Sequence, residues 1–109
     1  RTFCYITDAM IGFFLVMLNG VPGEAYNIGT PKPEVSMIDL VKRLQTISKQ
    51  GVTHNQIEYP ASYPADEPMR RCPDIQKARL QLNFNPIVRL DDGLRRFLDW
   101  SNTAYTGEP

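Results

Sequence analysis

The stretch that most constrains the fold of this chain runs from Tyr63 to Ile75 and reads YPADEPMRRCPDI. Three of its thirteen residues are proline, and each proline lacks a backbone donor and biases the preceding residue towards extended conformations. The stretch therefore cannot be helix or strand throughout. It predicts a stiffened loop that holds Arg70 and Arg71 and leads into a helix at Asp74.

The two adjacent arginines of this loop are suited to binding an anion. A guanidinium offers paired N–H donors to phosphate or carboxylate oxygens, and a semi-rigid loop would hold both groups in place. The alternative is that Arg70 and Arg71 form surface ion pairs with Asp66, Glu67 or Asp74, and such pairs usually contribute little stability. The residues alone leave both interpretations open.

Length and charge limit the classes of function. The chain has 109 residues, which is enough for one domain or part of one. Twelve Lys and Arg balance twelve Asp and Glu, so an extended nucleic-acid surface and a polybasic membrane patch are not expected, and any anion site must be local. Cys4, Cys72 and the single His54 fall in no metal-ligand spacing. We expect reduced thiols in a cytoplasmic protein without a metal site.

The first predicted helix is apolar on nearly all sides. It runs from an Asp8 N-cap to about Asn19, and its side chains from Met10 to Leu18 are almost all apolar. A helix of this kind is normally covered on both sides, yet it is too short to span a bilayer. Together with the missing N-terminal methionine, this suggests a fragment. In isolation we expect it to hide the uncovered face by self-association or by rearranged packing.

The remaining pattern predicts an α/β fold, with short parallel strands and about four helices. A strand, a helix and a strand in succession are typical of a parallel βαβ unit. The predicted strands or extended segments cover residues 1–7, 24–29, 56–59 and 87–90, and the later helices begin at Ser36, Asp74 and Asp91. The second helix should end near Ser48. The loop of residues 30–34 follows the second strand, at the end where open α/β sheets place ligands.

The chain lacks the short motifs of several common active sites. It contains no G-x-G-x-x-G turn, P-loop, G-x-S-x-G or H-E-x-x-H pattern, and none of its tyrosines has a lysine four residues later. Its own residues therefore indicate a binding surface with a few cations rather than a self-sufficient active site.

Four motifs in this order resemble a known family. They are R-x-F-x-Y-I-x-D from Arg1, Y-N-I-G-x-P from Tyr26, D-E-P-x-R-R-x-P-D-I-x-K-A from Asp66 and F-x-P-x-V-x-L-D-D-G-L from Phe84. This set is similar to the C-terminal portion of the extended short-chain dehydrogenases/reductases of the NAD-dependent epimerase/dehydratase family. Within that family it resembles the UDP-glucuronate decarboxylases and the dTDP-glucose 4,6-dehydratases.

The resemblance implies the substrate-binding lobe of a Rossmann-type enzyme, over residues 1–105 with a tail at 106–109. Family members bind NAD on an N-terminal Rossmann domain and oxidise C4 of a nucleotide-linked sugar. The 4-keto sugar then undergoes decarboxylation, dehydration or epimerisation. By motif position, Arg71 matches an arginine that contacts the diphosphate, and Arg1 matches one that faces the substrate. Tyr5 is a further candidate or a core residue, and Arg70 occupies a position that varies in the family.

Two motifs of the family are missing from this chain, and their absence limits the activity that we expect of the chain alone. The glycine-rich cofactor turn and the Tyr-x-x-x-Lys catalytic pair are absent, so we expect no bound NAD and no turnover from these 109 residues without the Rossmann domain. Arg1 has at most an electrostatic role towards the sugar. The alternative is a stand-alone interaction module, in which the loop arginines bind a carboxylate of an acidic partner.

Overall fold

Four helices make up the regular structure of the described part of the chain. The computed structural model describes residues 1–48, 51–64, 66–68 and 70–104. The helices are α1 (Ile6–Asn19), α2 (Met37–Ile47), α3 (Gln76–Leu82) and α4 (Leu90–Ala104). The predicted tail at 106–109 and the last residue of the predicted lobe lie outside the described residues. None of these helices is long and apolar enough to cross a membrane.

The predicted α/β fold class is wrong, because no strand forms among the described residues. The N-terminal segment is held by separate backbone hydrogen bonds: Arg1 and Val35 exchange a reciprocal pair at 2.8 and 2.9 Å, and Thr2 N donates to Arg71 O at 3.1 Å. These bonds reach two different segments and do not continue as a ladder along either one. The predicted strands are rich in apolar and aromatic residues, which favour a half-buried position in a sheet. Such a segment forms a strand only where the backbone of a neighbouring segment pairs with it.

The predicted N-cap of the first helix is also wrong. Helix α1 begins at Ile6 with Tyr5 as its N-cap, and Asp8 lies inside the first turn. The Asp8 side chain is 2% exposed, and its Oδ2 accepts hydrogen bonds from Ile87 N at 3.1 Å and Val88 N at 2.8 Å. Two backbone donors therefore stabilise a buried carboxylate, and this carboxylate fastens the segment before α4 to α1.

The core lies where α1 and α3 meet. Its fully buried members are Ile75, Ala78, Leu82 and Phe84, and these pack against partly buried residues of α1 and of the 24–29 segment: Leu15, Val16, Tyr26 and Ile28. Gly12 permits this approach, since a Cβ there would lie 2.9 Å from the Phe84 ring and would overlap the Ile28 side chain. The extended 24–29 segment thus contributes side chains to the core without forming a strand.

The predicted start and end of the second helix are confirmed. Ser36 Oγ accepts from Asp39 N at 3.0 Å, which is the predicted N-cap, and the helix ends at Ile47 with Ser48 as its C-cap. Asp74 Oδ1 accepts from Gln76 N at 2.8 Å, so Asp74 supports the start of α3 one residue outside its N-cap, Ile75. These contacts depend on neighbouring residues alone, which explains why the sequence pattern predicts them.

A large apolar surface is left uncovered. Seven large side chains of α1 are between 42% and 73% exposed: Ile6, Met10, Ile11, Phe13, Phe14, Met17 and Leu18. Phe97 and Trp100 of α4 are likewise 53% and 56% exposed. Exposed apolar patches of this kind mark surfaces that contact another protein segment.

Replacing Asp8 with alanine should destabilise the fold. The change leaves two backbone amides without their acceptor, and each such loss costs about 1–3 kcal/mol. Chemical denaturation followed by circular dichroism, at one fixed protein concentration, measures the free energy of unfolding. Asp99→Ala on the exposed side of α4 is the matched control and should change it by about 0.5 kcal/mol or less. Equal unfolding midpoints for Asp8→Ala and the unmodified chain would contradict the anchoring role.

Candidate functional site

Two arginines from distant parts of the chain converge on one carboxylate oxygen. Glu67 Oε1 accepts a hydrogen bond from Arg1 Nη2 at 3.0 Å and another from Arg71 Nη2 at 2.6 Å. The side chain of Glu67 is 24% exposed, whereas those of Arg1 and Arg71 are 34% and 53% exposed. One anionic oxygen thus lies between two guanidinium groups, and both groups remain accessible to solvent.

Backbone contacts position this cluster. Thr2 N donates to Arg71 O at 3.1 Å, which places the N-terminal segment beside the proline-rich loop. Within that loop, Glu67 N donates to Pro64 O at 3.2 Å and closes a turn that directs Glu67 towards the arginines. The sequence predicts a loop that holds both Arg70 and Arg71, and of these two the bond from Thr2 reaches the backbone of Arg71.

The two loop arginines point to different partners. Arg70 binds Glu34 side-on, with Nε 2.8 Å from Oε1 and Nη2 2.8 Å from Oε2. The hydrogen bond from Arg70 lowers the pKa of Glu34, and the same bond raises the pKa of Arg70. The structure therefore brings Arg71 together with Arg1 and leaves Arg70 in a separate ion pair. Arg71 pairs with Glu67, one of the three acids that the ion-pair interpretation named.

Tyr5 lies apart from the arginine cluster. Its ring packs on Gly93 of α4, where a Cβ would lie 3.1 Å from Tyr5 Cδ2, and the Arg96 guanidinium carbon is 5.4 Å from the ring centroid. Tyr5 also lines an apolar cleft of about 240 Å³ between the N-terminal segment and α4, and this cleft does not include Arg1. Of the two interpretations of Tyr5, these contacts favour a packing role.

A cleft of about 520 Å³ adjoins Arg1 and Glu67. It runs between the start of α2 and the segment 54–63, and the rings of Tyr59 and Tyr63 pack against each other on its wall at a centroid distance of 4.2 Å. Neither tyrosine was predicted as a site residue. The repeated Tyr-Pro pair in YPASYP, just before the arginine loop, is the signal that could have indicated them.

The arginine cluster and the adjoining cleft carry side chains that suit ligand binding and few that suit covalent chemistry. The cluster presents guanidinium donors, and the cleft beside it presents tyrosine rings and His54, whose Nδ1 lies 3.4 Å from Gln45 Nε2. Cys4 and Cys72 are free thiols. A search of the described residues finds no group of three or more His, Cys, Asp or Glu side chains that could hold a metal ion.

Sequence comparison finds relatives among nucleotide-sugar enzymes, although no protein-family model matches the chain. The chain is 32% identical over 102 residues to a dTDP-D-glucose 4,6-dehydratase of Homo sapiens, covering 92% of this chain and 29% of the relative. It is 35% identical over 98 residues to UDP-glucuronic acid decarboxylase 1 of Arabidopsis thaliana, covering 90% of this chain and 21% of the relative. The chain thus spans less than a third of the length of these relatives.

The fold of this chain is also similar to that of solved structures. The crystal structure of the Bordetella bronchiseptica enzyme WbmF in complex with NAD+ and UDP matches with a TM-score of 0.76 and 30% identity, over 96% of this chain and 30% of that chain. A WbmF structure in complex with NADH matches with a TM-score of 0.75 and 27% identity. The resemblance inferred from the four motifs is confirmed: the chain is homologous to part of the dTDP-glucose 4,6-dehydratases and UDP-glucuronic acid decarboxylases.

Proposed function

We propose that this chain is the substrate-binding lobe of an NAD-dependent nucleotide-sugar epimerase, dehydratase or decarboxylase, and that Arg1 and Arg71 bind the diphosphate of its substrate. The observation that supports this most directly is the convergence of both guanidiniums on Glu67 Oε1. The carboxylate oxygen stands in for a phosphate oxygen, because both are anionic acceptors that guanidinium groups bind with short, charge-assisted hydrogen bonds. The site thus has its donors arranged before a ligand arrives.

The charges of the cluster favour a diphosphate over the internal carboxylate. Two guanidiniums and one carboxylate leave a net positive charge, and both arginines are partly exposed to solvent. A diphosphate carries more negative charge and more acceptor oxygens than Glu67, so it can engage donors that Glu67 leaves free. Glu67 competes for the same N–H groups and has to share them or give way when the ligand binds.

The adjoining cleft has room for the rest of a nucleotide. Its volume of about 520 Å³ falls within the range of roughly 300–1,000 Å³ found for small-molecule sites. Its tyrosine rings and apolar lining lie next to the arginine cluster, which suits a ligand with an anionic part and a ring-containing part. WbmF, the structural relative, was crystallised with UDP.

The starts of three of the described helices do not suit the pyrophosphate of NAD. The first turns of α1, α2 and α4 each carry aspartate, namely Asp8, Asp39 and the pair Asp91 and Asp92. Acids at a helix start oppose the negative pyrophosphate that such a position would otherwise attract. The cofactor of the family would therefore be held by residues outside this chain, and the redox chemistry that leads to a 4-keto sugar is assigned to no residue here.

The uncovered face of α1 supports a role within a longer protein. Its seven exposed apolar side chains need a partner, and the relatives are more than three times as long as this chain. We infer that an NAD-binding Rossmann domain covers this face in the parent enzyme. Without that domain, copies of the chain would cover it for one another.

A second candidate function follows from the carboxylate at the centre of the cluster. Because Arg1 and Arg71 already bind the side chain of Glu67, they are also suited to a glutamate or aspartate of an acidic protein partner. In that case the chain would act as an interaction module. An acidic peptide that binds the cluster more tightly than UDP would favour this alternative.

Replacing Arg71 with glutamine should weaken UDP binding roughly ten- to a hundredfold. One charge-assisted hydrogen bond contributes about 1.5–3 kcal/mol, and 1.4 kcal/mol corresponds to a tenfold change in affinity. Two-dimensional NMR titration measures the dissociation constant, and UDP should shift signals of Arg1 and of the 66–74 loop more than uridine does. Arg79→Gln on the exposed side of α3 is the matched control. Unchanged UDP affinity in Arg71→Gln would refute the assignment.

Replacing Glu67 with glutamine should strengthen UDP binding. The substitution removes the competing charge, and exposed ion pairs contribute about 0.2–1 kcal/mol each, so loss of the two pairs should raise affinity roughly two- to thirtyfold. The same titration measures the effect. Glu58→Gln, an exposed acid on the neighbouring segment, serves as the control. Weaker UDP binding in Glu67→Gln would show instead that the carboxylate is needed to hold the arginines in place.

The isolated chain should self-associate through α1. Light scattering coupled to size-exclusion chromatography should give a mass above the monomer value of 12.4 kDa that rises with concentration. A variant with Phe13→Glu and Met17→Lys should shift the mass towards the monomer, because it places charges on the uncovered face. Leu80→Glu, an exposed position on α3, should leave the mass unchanged. A monomer mass for the unmodified chain at high concentration would contradict the prediction.

A further inference from the structure

A second cleft, separate from the Arg1 and Arg71 cluster, carries an excess of positive charge. It has a volume of about 370 Å³ and is lined by Lys32, Pro33, Arg43, Arg89, Leu90 and Asp91, which we name the cationic cleft. Three of these six residues are cations and one is an acid. They come from the loop after the 24–29 segment, from α2 and from the start of α4, so the fold itself assembles the charge.

One of the three cations is neutralised within the cleft. Arg43 Nη1 donates to Asp91 Oδ1 at 2.7 Å, and both side chains are a little over a third exposed. This ion pair joins α2 to the first turn of α4 and fixes the wall of the cleft. It leaves the guanidinium of Arg43 with further N–H donors.

The other two cations have no acidic partner in the part of the chain that the structure describes. No hydrogen bond or ion pair joins Lys32 or Arg89 to another described side chain, and each acid near them in sequence, namely Glu34, Asp91 and Asp92, binds a different cation. Glu34 binds Arg70, and Asp92 Oδ1 accepts from Arg95 Nη1 at 2.8 Å. The charges of Lys32 and Arg89 therefore remain available to an anion from solution.

A neighbouring cleft does not share this excess of positive charge. That cleft, of about 570 Å³, shares Pro33, Arg43 and Asp91 with the cationic cleft, and its remaining charged residues are Glu34, Asp39, Lys42 and Arg95. Its three acids and three bases balance. The chain as a whole carries a formal net charge of 0, so the positive potential of the cationic cleft is local.

We propose that the cationic cleft binds a phosphoryl group, as inorganic phosphate or as a phosphomonoester. Lys32 supplies a compact ammonium, and Arg43 and Arg89 supply planar groups of N–H donors that match tetrahedral oxyanions. The volume corresponds to roughly a dozen water molecules, which is enough for a phosphate group with some of its hydration. A bound phosphate joins the 30–34 loop, α2 and α4, and it stabilises their packing.

The test is a two-dimensional NMR titration of the chain with inorganic phosphate, at an ionic strength kept constant with sodium chloride. Shifts should concentrate at Lys32, Arg43 and residues 89–91. A thermal-unfolding series under the same conditions should show a higher melting temperature with phosphate than with chloride. A parallel titration with glucose 1-phosphate distinguishes the two sources, since a phosphomonoester site binds it more tightly than inorganic phosphate.

Single substitutions distinguish phosphate binding at the cationic cleft from a general effect of added ions. Arg89→Gln and Lys32→Gln should each weaken phosphate binding about tenfold, the effect of losing one charge-assisted hydrogen bond. Arg79→Gln and Arg71→Gln should leave the shifts at the cationic cleft unchanged. Shifts spread over all basic residues, or an affinity of Arg89→Gln and Lys32→Gln within twofold of the unmodified chain, would overturn the proposal.

Discussion

The buried carboxylate of Asp8 joins the two halves of this structure. It lies in the first turn of α1 and accepts hydrogen bonds from the amides of Ile87 and Val88, about eighty residues further along the chain. A buried charge is costly unless donors surround it, so the 87–88 backbone has to remain against α1. Because α4 starts two residues later, this contact also determines where α4 can pack. The Tyr5 ring on Gly93 and the Arg43–Asp91 pair follow from that placement.

The candidate site depends on the segment that precedes α1. Once α1 is anchored, its N-terminal extension runs between Val35 and the proline-rich loop, and its backbone bonds to both. Arg1 then reaches the same oxygen of Glu67 as Arg71 does, although the two arginines are seventy positions apart. The convergence is a product of chain packing, and it explains how a chain of zero net charge brings two guanidinium groups together at one place.

Sequence reasoning succeeded where the deciding contacts are local. The four helices, the Ser36 cap and the family resemblance depend on residues close together or on motif order, and each is confirmed. It failed where a residue has two possible roles. Asp8 has the right position and chemistry for an N-cap, yet its carboxylate binds a distant backbone, and the apolar 24–29 segment packs by its side chains without a strand partner. The pairing of Arg71 with Glu67 was one choice among three acids, and the pairing of Arg1 with the same carboxylate was not predicted.

The sequence by itself determined the approximate positions of the helices, the strongly apolar character of α1 and the relationship to nucleotide-sugar enzymes. Helix periodicity, caps and proline restrictions act within a few residues, so the order of residues is enough to specify them. Only the tertiary structure decided that Arg71 meets Arg1 and that Arg70 does not, which face of α1 is uncovered, and that Lys32, Arg43 and Arg89 share a cleft. Those outcomes depend on which distant segments come into contact, and no local pattern carries that information.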